Sequence, residues 1–174
     1  MNTGTPYPAD WTVRQARDAY LEENGFDLAS YEDPWTKASV LGIPFWVPNT
    51  ARHRWAIRLH DLHHCVTGFG TDLTGEGEVS AWEARRGLRS LGLYVGAIVA
   101  SGTLMGFALA PRRALRAWRA AGTGRSLFDP ARYPSDAEYE ALLDRRLGDV
   151  RRELGVPEHG SATAPRGFHS LAAR

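Results

Sequence analysis

The chain reads as all-α: a compact single-domain helical fold built around one long apolar central helix. Three observations predict this. Apolar residues recur at helical spacing through residues 12–24, 50–68 and 135–150. Residues 90–110 hold 21 consecutive positions without a charge, enough to make one long apolar helix. Ser135 followed three residues later by Glu138 has the form of a capping box that opens the last helical stretch. A chain of 174 residues can bury one core without covalent staples, and no internal repeat divides it. We expect a single helical domain over residues 1–157 and a Gly-, Pro-, Ala- and Ser-rich disordered tail over 158–174.

Composition narrows the class. Cys65 is the single cysteine, which excludes an intramolecular disulfide framework and a multi-cysteine zinc site and points to a reducing, cytoplasmic setting. The opening residues MNTGTPYPADW lack the charged-then-apolar pattern of a secretory signal. The net charge of +1 conceals an asymmetry: residues 1–50 carry seven acidic and three basic side chains, whereas 111–132 carry six arginines against Asp129 alone. A local basic surface of this size does not make nucleic acid the expected partner.

In the first helix, 12–24, Val13, Ala16 and Tyr20 share a face and Gly25 supplies a stop. Pro34, Pro44 and Pro48 break up residues 26–50, which read as short helical pieces and loop, with Tyr31, Trp35, Phe45 and Trp46 packing over the core. A second helix runs from Thr50 to Gly68. At about 100° per residue, Trp55, Leu59, Leu62 and Val66 form an apolar stripe, and His53, Ile57, His60 and His64 fall roughly opposite. Asp61 lies one residue after His60 and three before His64, so the three polar heads can converge beside the helix. His63 points between the stripes, and Cys65 reads as a small core residue.

The turn formers in VTGFGTDLTG let the chain reverse after His64, so that Glu76, in the first turn of a third helix with Thr74 as its expected cap, faces back. Imidazole and carboxylate groups are costly to bury unpaired, and two of each on adjoining turns point to a divalent metal held by His60, Asp61, His64 and Glu76. Zinc and iron(II) both suit such a mixed shell, zinc being the first expectation. Asp72, Glu78 and His53 are candidates to orient a ligand or carry a proton. His159 and His169 belong to the expected tail and are poor site candidates.

For residues 90–110 a buried helix, or one lining a greasy cavity, is preferred over a membrane span, because Gly92, Gly96, Gly102 and Gly106 lower lipid affinity and allow close helix packing. The space that these glycines leave suits a prenyl chain or ordinary side-chain packing. Pro111 can begin a short helix with Leu115 and Trp118 beside Arg112, Arg116 and Arg119, a basic amphipathic element able to rest on anionic headgroups. The last helix buries Tyr139, Leu142, Leu143, Leu147 and Val150, leaving Arg145, Arg146, Arg151 and Arg152 to surface and inter-helix pairs.

Other histidine motifs fit less well. His60, His63 and His64 spell HxxHH, but six histidines in all cannot supply the several boxes of a membrane di-iron enzyme. The zinc-protease HExxH is absent, as are paired ExxH motifs, glycine-rich phosphate loops and the further separated ligands of an HD phosphohydrolase.

The spacing HDxxH, eleven residues, then Glu, matched by His60, Asp61, His64 and Glu76, resembles the signature of the coenzyme Q biosynthesis protein 4 family. The segments TGFGTDLTGE and LDRRLGDVRRELGVP are similar to that family's glycine turn and closing helix, and the likeness spans about residues 45–157. The resemblance implies an all-helical, often dimeric protein, peripheral on the inner face of the cell membrane, that binds metal through those four residues. It also implies a role in ubiquinone biosynthesis, in exchanging a ring carboxyl for hydroxyl and in organising partner biosynthetic enzymes. The expected function is therefore a metal-dependent, oxidative or non-oxidative decarboxylase or related lyase acting on an aromatic or quinone-precursor carboxylic acid, with an aromatic or prenylated small molecule as ligand. The alternative is a non-catalytic lipid-binding scaffold for a quinone or secondary-metabolite complex. Heavy Arg, Ala and Gly usage, typical of GC-rich genomes, widens the substrate to other aromatic metabolites.

Overall fold

The first helix, α1 (Val13–Asn24), is delimited as its sequence dictates: Thr12 and Gln15 form a capping box, and Gly25 closes it in the left-handed region at φ 66°. The computed structural model describes residues 6–40, 43–129 and 135–163 of the chain. Among these residues, a 3₁₀ turn (Leu28–Glu32) is followed by six further helices: α2 (Ala51–Thr67), α3 (Leu73–Arg86), α4 (Gly92–Leu109), α5 (Pro111–Ala121), α6 (Asp136–Leu143) and α7 (Leu147–Glu153). The fold is mostly helical, with a single core and one long apolar helix, as the periodicity predicts.

The departure is a hairpin. Where short helical pieces and loop were expected, β1 (Trp35–Val40) pairs antiparallel with β2 (Ile43–Pro48), in a register that sets Trp35 against Pro48 and Val40 against Ile43. β-branched and aromatic residues at Thr36, Val40, Ile43, Phe45 and Val47 suit an extended backbone, and in a two-stranded ribbon prolines can sit at open edges without breaking a ladder. Trp35 and Trp46 are exposed on it, contrary to the expected packing over the core, whereas Tyr31 is buried as expected. Asn49 ties the base of the ribbon to the carbonyls of Tyr31 and Asp33.

Helix α2 runs through the middle of the molecule. Leu59, Leu62, Cys65 and Val66 are fully buried among Val13, Ala16, Leu143, Leu147 and Val150. The opposite face is not left to solvent, because α3 covers it, and His63 and His64 are as buried as the leucines. Helix α3 in turn meets α4 at backbone distance through Gly77 and Gly106. Helix α4 buries only the stripe Val95, Val99, Thr103 and Gly106, so the expected buried central helix is corrected: most of its apolar surface faces out, Leu93 being 95% and Leu104 72% exposed. A helix with apolar residues on every side buries only the face that its neighbours cover, here chiefly α3 with α5 beside it. Pro111 opens α5 as expected, and Ala114, Ala117 and Ala121 line its buried side.

The expected last helix is two. The chain breaks between α6 and α7 so that Arg145 O accepts from Val13 N–H and Leu147 N–H donates to Trp11 O, backbone bonds that a continuous helix would forbid. Its apolar residues are all buried as expected. Arg151 is the exception to the surface assignment of the arginines: it is wholly buried and donates to the carbonyls of Val66, Tyr7, Glu158 and Cys65. Residues 158–163, the first part of the expected tail, dock on the end of α2, where Ser161 and Ala162 donate to Thr67 O. Residues 164–174, with His169, lie outside the described residues, and His159 is exposed.

Candidate metal centre

The site is assembled by two helix ends and the turn between them. Thr50 caps α2, and Gly68, at φ 78°, ends it in the left-handed region that frees the chain to turn. The Asp72 side chain then accepts from Gly75 N–H at 2.8 Å and starts α3, so Asp72 rather than Thr74 is the cap. This places Glu76 in the first turn of α3, facing His60 and His64 one turn apart on α2.

One ligand atom from each of His60, His64 and Glu76 lies within 4.8 Å of the other two. The two Nε2 atoms are 3.2 Å apart, Glu76 Oε2 is 3.2 Å from His60 Nε2, and Glu76 Oε1 is 3.4 Å from His64 Nε2. The protons on these rings follow from their outer partners. His64 Nδ1–H donates to Phe69 O at 3.1 Å, an acceptor only, so its Nε2 presents a lone pair. His60 Nδ1–H donates to Glu83 Oε1 at 2.9 Å, so its Nε2 does likewise when the ring is neutral. Two lone pairs and a carboxylate thus converge on one small volume. Such a cluster is stable only around a cation, either a proton or a metal.

The spacing fits the metal. With bonds of about 2.05 Å, an Nε2–Nε2 separation of 3.2 Å corresponds to an angle of about 100° at a common ion, close to tetrahedral. Two histidines and one carboxylate are a donor set used by zinc hydrolytic sites and by iron(II) facial triads, both of which keep positions open for substrate. Access is on one side only: the His64 side chain is 1% exposed, that of His60 21% and that of Glu76 35%.

Asp61 stands apart from this trio. Its two oxygens accept from Tyr20 OH at 3.1 Å and Tyr31 OH at 2.5 Å, and the Tyr20 ring stacks on His64 with centroids 5.5 Å apart. Burial raises its pKa, which His60 and the Tyr31 hydrogen bond partly offset. The other candidates also find distinct places. Glu78 pairs with Arg113 at 2.7 Å. His53 is buried edge-on to Tyr94, its pKa lowered by burial and by His60. Cys65 is a core residue.

The residue that sequence reasoning missed is Glu83. It lies seven positions after Glu76, two turns along the same face of α3, and that spacing was the available signal. Burial alone would push both glutamates up. The imidazoles override it, holding Glu83 down at about 2 and Glu76 well below the usual carboxylate range. For His60, burial disfavours the imidazolium, but Glu83 and Glu76 together outweigh it and raise the ring's pKa well above the usual histidine value. His63 is instead held neutral, chiefly by burial.

No known protein family, no curated protein and no solved structure matches this chain.

Proposed function

We propose that the protein binds one divalent metal ion through His60, His64 and Glu76 and acts as a metal-dependent lyase that decarboxylates an aromatic or quinone-precursor carboxylic acid. The observation that supports the centre is the pair of imidazole Nε2 atoms facing each other and the Glu76 carboxylate, with both Nδ1 atoms committed as donors elsewhere. Zinc is the first candidate, and iron(II) suits the same donors. The likeness of HDxxH, eleven residues and Glu to the coenzyme Q biosynthesis signature supports the substrate class.

When bound, the ion supplies Lewis-acid stabilisation of a carboxylate and an adjoining phenolate. The chain's own contributions are separate. His64 and His60, locked by Phe69 O and Glu83, keep the donor atoms aimed without reorganisation. The exposed edges of His60 and Glu76 leave an approach for a flat acid. Asp61, its oxygens held by Tyr20 and Tyr31, adds negative charge beside the cation, and the proton that reaches the ring carbon as CO₂ departs comes from solvent at the exposed edge of His60 and Glu76. That step balances without a further reagent: the carbon–carbon bond breaks, its electron pair stays on the ring, and a proton replaces CO₂. An oxidative exchange for hydroxyl additionally requires dioxygen and a source of electrons.

A second reading, a lipid-binding scaffold at a membrane surface that presents intermediates to partner enzymes or to a second copy, is favoured by one observation. Helix α4 exposes Leu93, Leu104 and Leu109, and the adjoining α5 exposes Arg112, Arg116 and Arg119, an apolar face beside a cationic one suited to anionic lipid. The two readings part on one experiment. Metal-loaded protein is incubated with hydroxybenzoic acids, with and without a prenyl substituent, and CO₂ release is compared with that of Glu76→Gln and His64→Ala. The lyase reading expects release by the wild type alone. Absence of release from every acid, with His64→Ala still able to restore the pathway in cells, refutes it in favour of the scaffold.

A further inference from the structure

Two histidines aim at the same oxygen. His60 Nδ1 lies 2.9 Å and His63 Nδ1 2.7 Å from Glu83 Oε1, and Glu83 is wholly buried. Behind them the network is closed by backbone. Leu127 N–H donates to His63 Nε2 at 2.9 Å, which obliges His63 to carry its proton on Nδ1 and to donate it to Glu83. The His63 ring is wedged edge-on to Phe128 and against Trp82, so it cannot turn away. Glu83 Oε2 has no partner among the described residues, so both hydrogen bonds that hold this carboxylate come from the two rings. One face of α3 therefore meets both sides of a single imidazole, Glu76 at its Nε2 and Glu83 at its Nδ1.

We infer that Glu83 is a positioning residue for His60, and that His63, pinned by Leu127 N–H, is the stop that holds Glu83 in place. This deepens the metal-centre reading and rests on it. A carboxylate on the outer nitrogen fixes the tautomer and orientation of a ligand histidine and makes the coordinating nitrogen more basic, and losing such a partner costs about 10–100-fold in metal affinity. His64 is oriented by a neutral carbonyl, Phe69 O, so the two imidazoles are inequivalent and Glu83 tunes only one of them. The loop that follows α5 reaches the centre through Leu127 and this relay, although it contributes no ligand.

The rival role for Glu83 is structural, satisfying two buried rings with no bearing on the metal. Chelator competition with Zn²⁺ and Co²⁺, together with the Co²⁺ absorption spectrum, separates the two. Glu83→Gln keeps the shape and one acceptor but loses the charge, and is expected to weaken binding about 10-fold. Glu83→Ala loses the acceptor as well and is expected to weaken it about 100-fold, with shifted Co²⁺ bands in both. Unchanged affinity and spectrum in a folded variant overturn the inference. The wild type supplies an independent arm that survives any folding failure: in the Zn²⁺-loaded protein, ring ¹⁵N shifts should place the protons of His60 and His63 on Nδ1. A His60 proton on Nε2 overturns the inference. Wild-type protein that takes up no stoichiometric Zn²⁺ or Co²⁺ overturns the metal reading itself, an outcome distinct from tight binding that ignores Glu83.

Discussion

Substituting Gly77 tests the packing that carries the site. A Cβ at Gly77 would stand 2.5 Å from Gly106 Cα on α4, whereas ordinary carbon contacts begin near 3.5 Å. Helix α4 would have to retreat by about 1 Å, loosening the contacts of Val95, Val99 and Thr103. The colliding atom is backbone, so no rotamer change relieves it, and the cost belongs at the upper end of overpacking, about 3 kcal/mol. Alanine gains about 1 kcal/mol over glycine in a helix interior, leaving Gly77→Ala about 2 kcal/mol less stable. Gly96 provides the contrast. Its added Cβ meets nothing closer than Leu88 Cβ at 3.9 Å, so Gly96→Ala should gain about 1 kcal/mol. In urea, with a slope of about 2 kcal/mol/M, the midpoints move about 1 M down and about 0.5 M up. Gly77 also adjoins Glu76, so the first variant should bind metal more weakly while the second should not. If Gly77→Ala raises the midpoint as Gly96→Ala does, α3 and α4 are not in backbone contact and the reasoning fails.

Three further outcomes follow from the same geometry. Arg151→Met strips three buried carbonyls and a partly buried one of their donor, and a loss of roughly 4 kcal/mol should lower the thermal midpoint by about 8–16 °C, whereas a shift within about 3 °C in calorimetry would contradict the role given to Arg151. In the metal-free protein His60 has a raised pKa and keeps its proton at neutral pH, so metal must displace it and apparent affinity should rise about tenfold per pH unit until that pKa is passed. Titration calorimetry in buffers of different ionisation heat should then report about one proton released per ion at neutral pH, and none released would contradict the sign. Replacing Leu93 and Leu104 together by serine should leave stability unchanged within about 0.5 kcal/mol, because both are exposed, yet reduce sedimentation with phosphatidylglycerol vesicles several-fold, and equal sedimentation would remove α4 as a lipid contact.

The features legible from sequence are those governed by local chemistry. Gly25, Thr50 with Gly68, Pro111, and Ser135 with Glu138 mark helix ends because caps and stops act within a few residues. His60, His64 and Glu76 were legible because α2, a five-residue turn and α3 bring them together over a short stretch of chain. The missed features depend on distant partners. Arg151 looks like any surface arginine until Tyr7, Cys65 and Val66 offer it carbonyls. The break before Leu147 is bought by backbone bonds to Trp11 and Val13, more than 130 residues earlier. Asp61 has ligand spacing, yet Tyr20 and Tyr31 from two other elements take its oxygens. The burial of α4 could not be read from its composition, because an evenly apolar helix does not state which of its faces has a neighbour.

X-ray absorption on anaerobically purified protein addresses the central claim most directly. One ion per chain is expected, with a first shell of nitrogen and oxygen near 2.0–2.1 Å, multiple scattering from two imidazoles, and no sulfur. The same measurement on folded His64→Ala should find the metal lost. A wild-type chain that holds no stoichiometric metal, or a shell without imidazole, would contradict the assignment of His60, His64 and Glu76 to a metal ion.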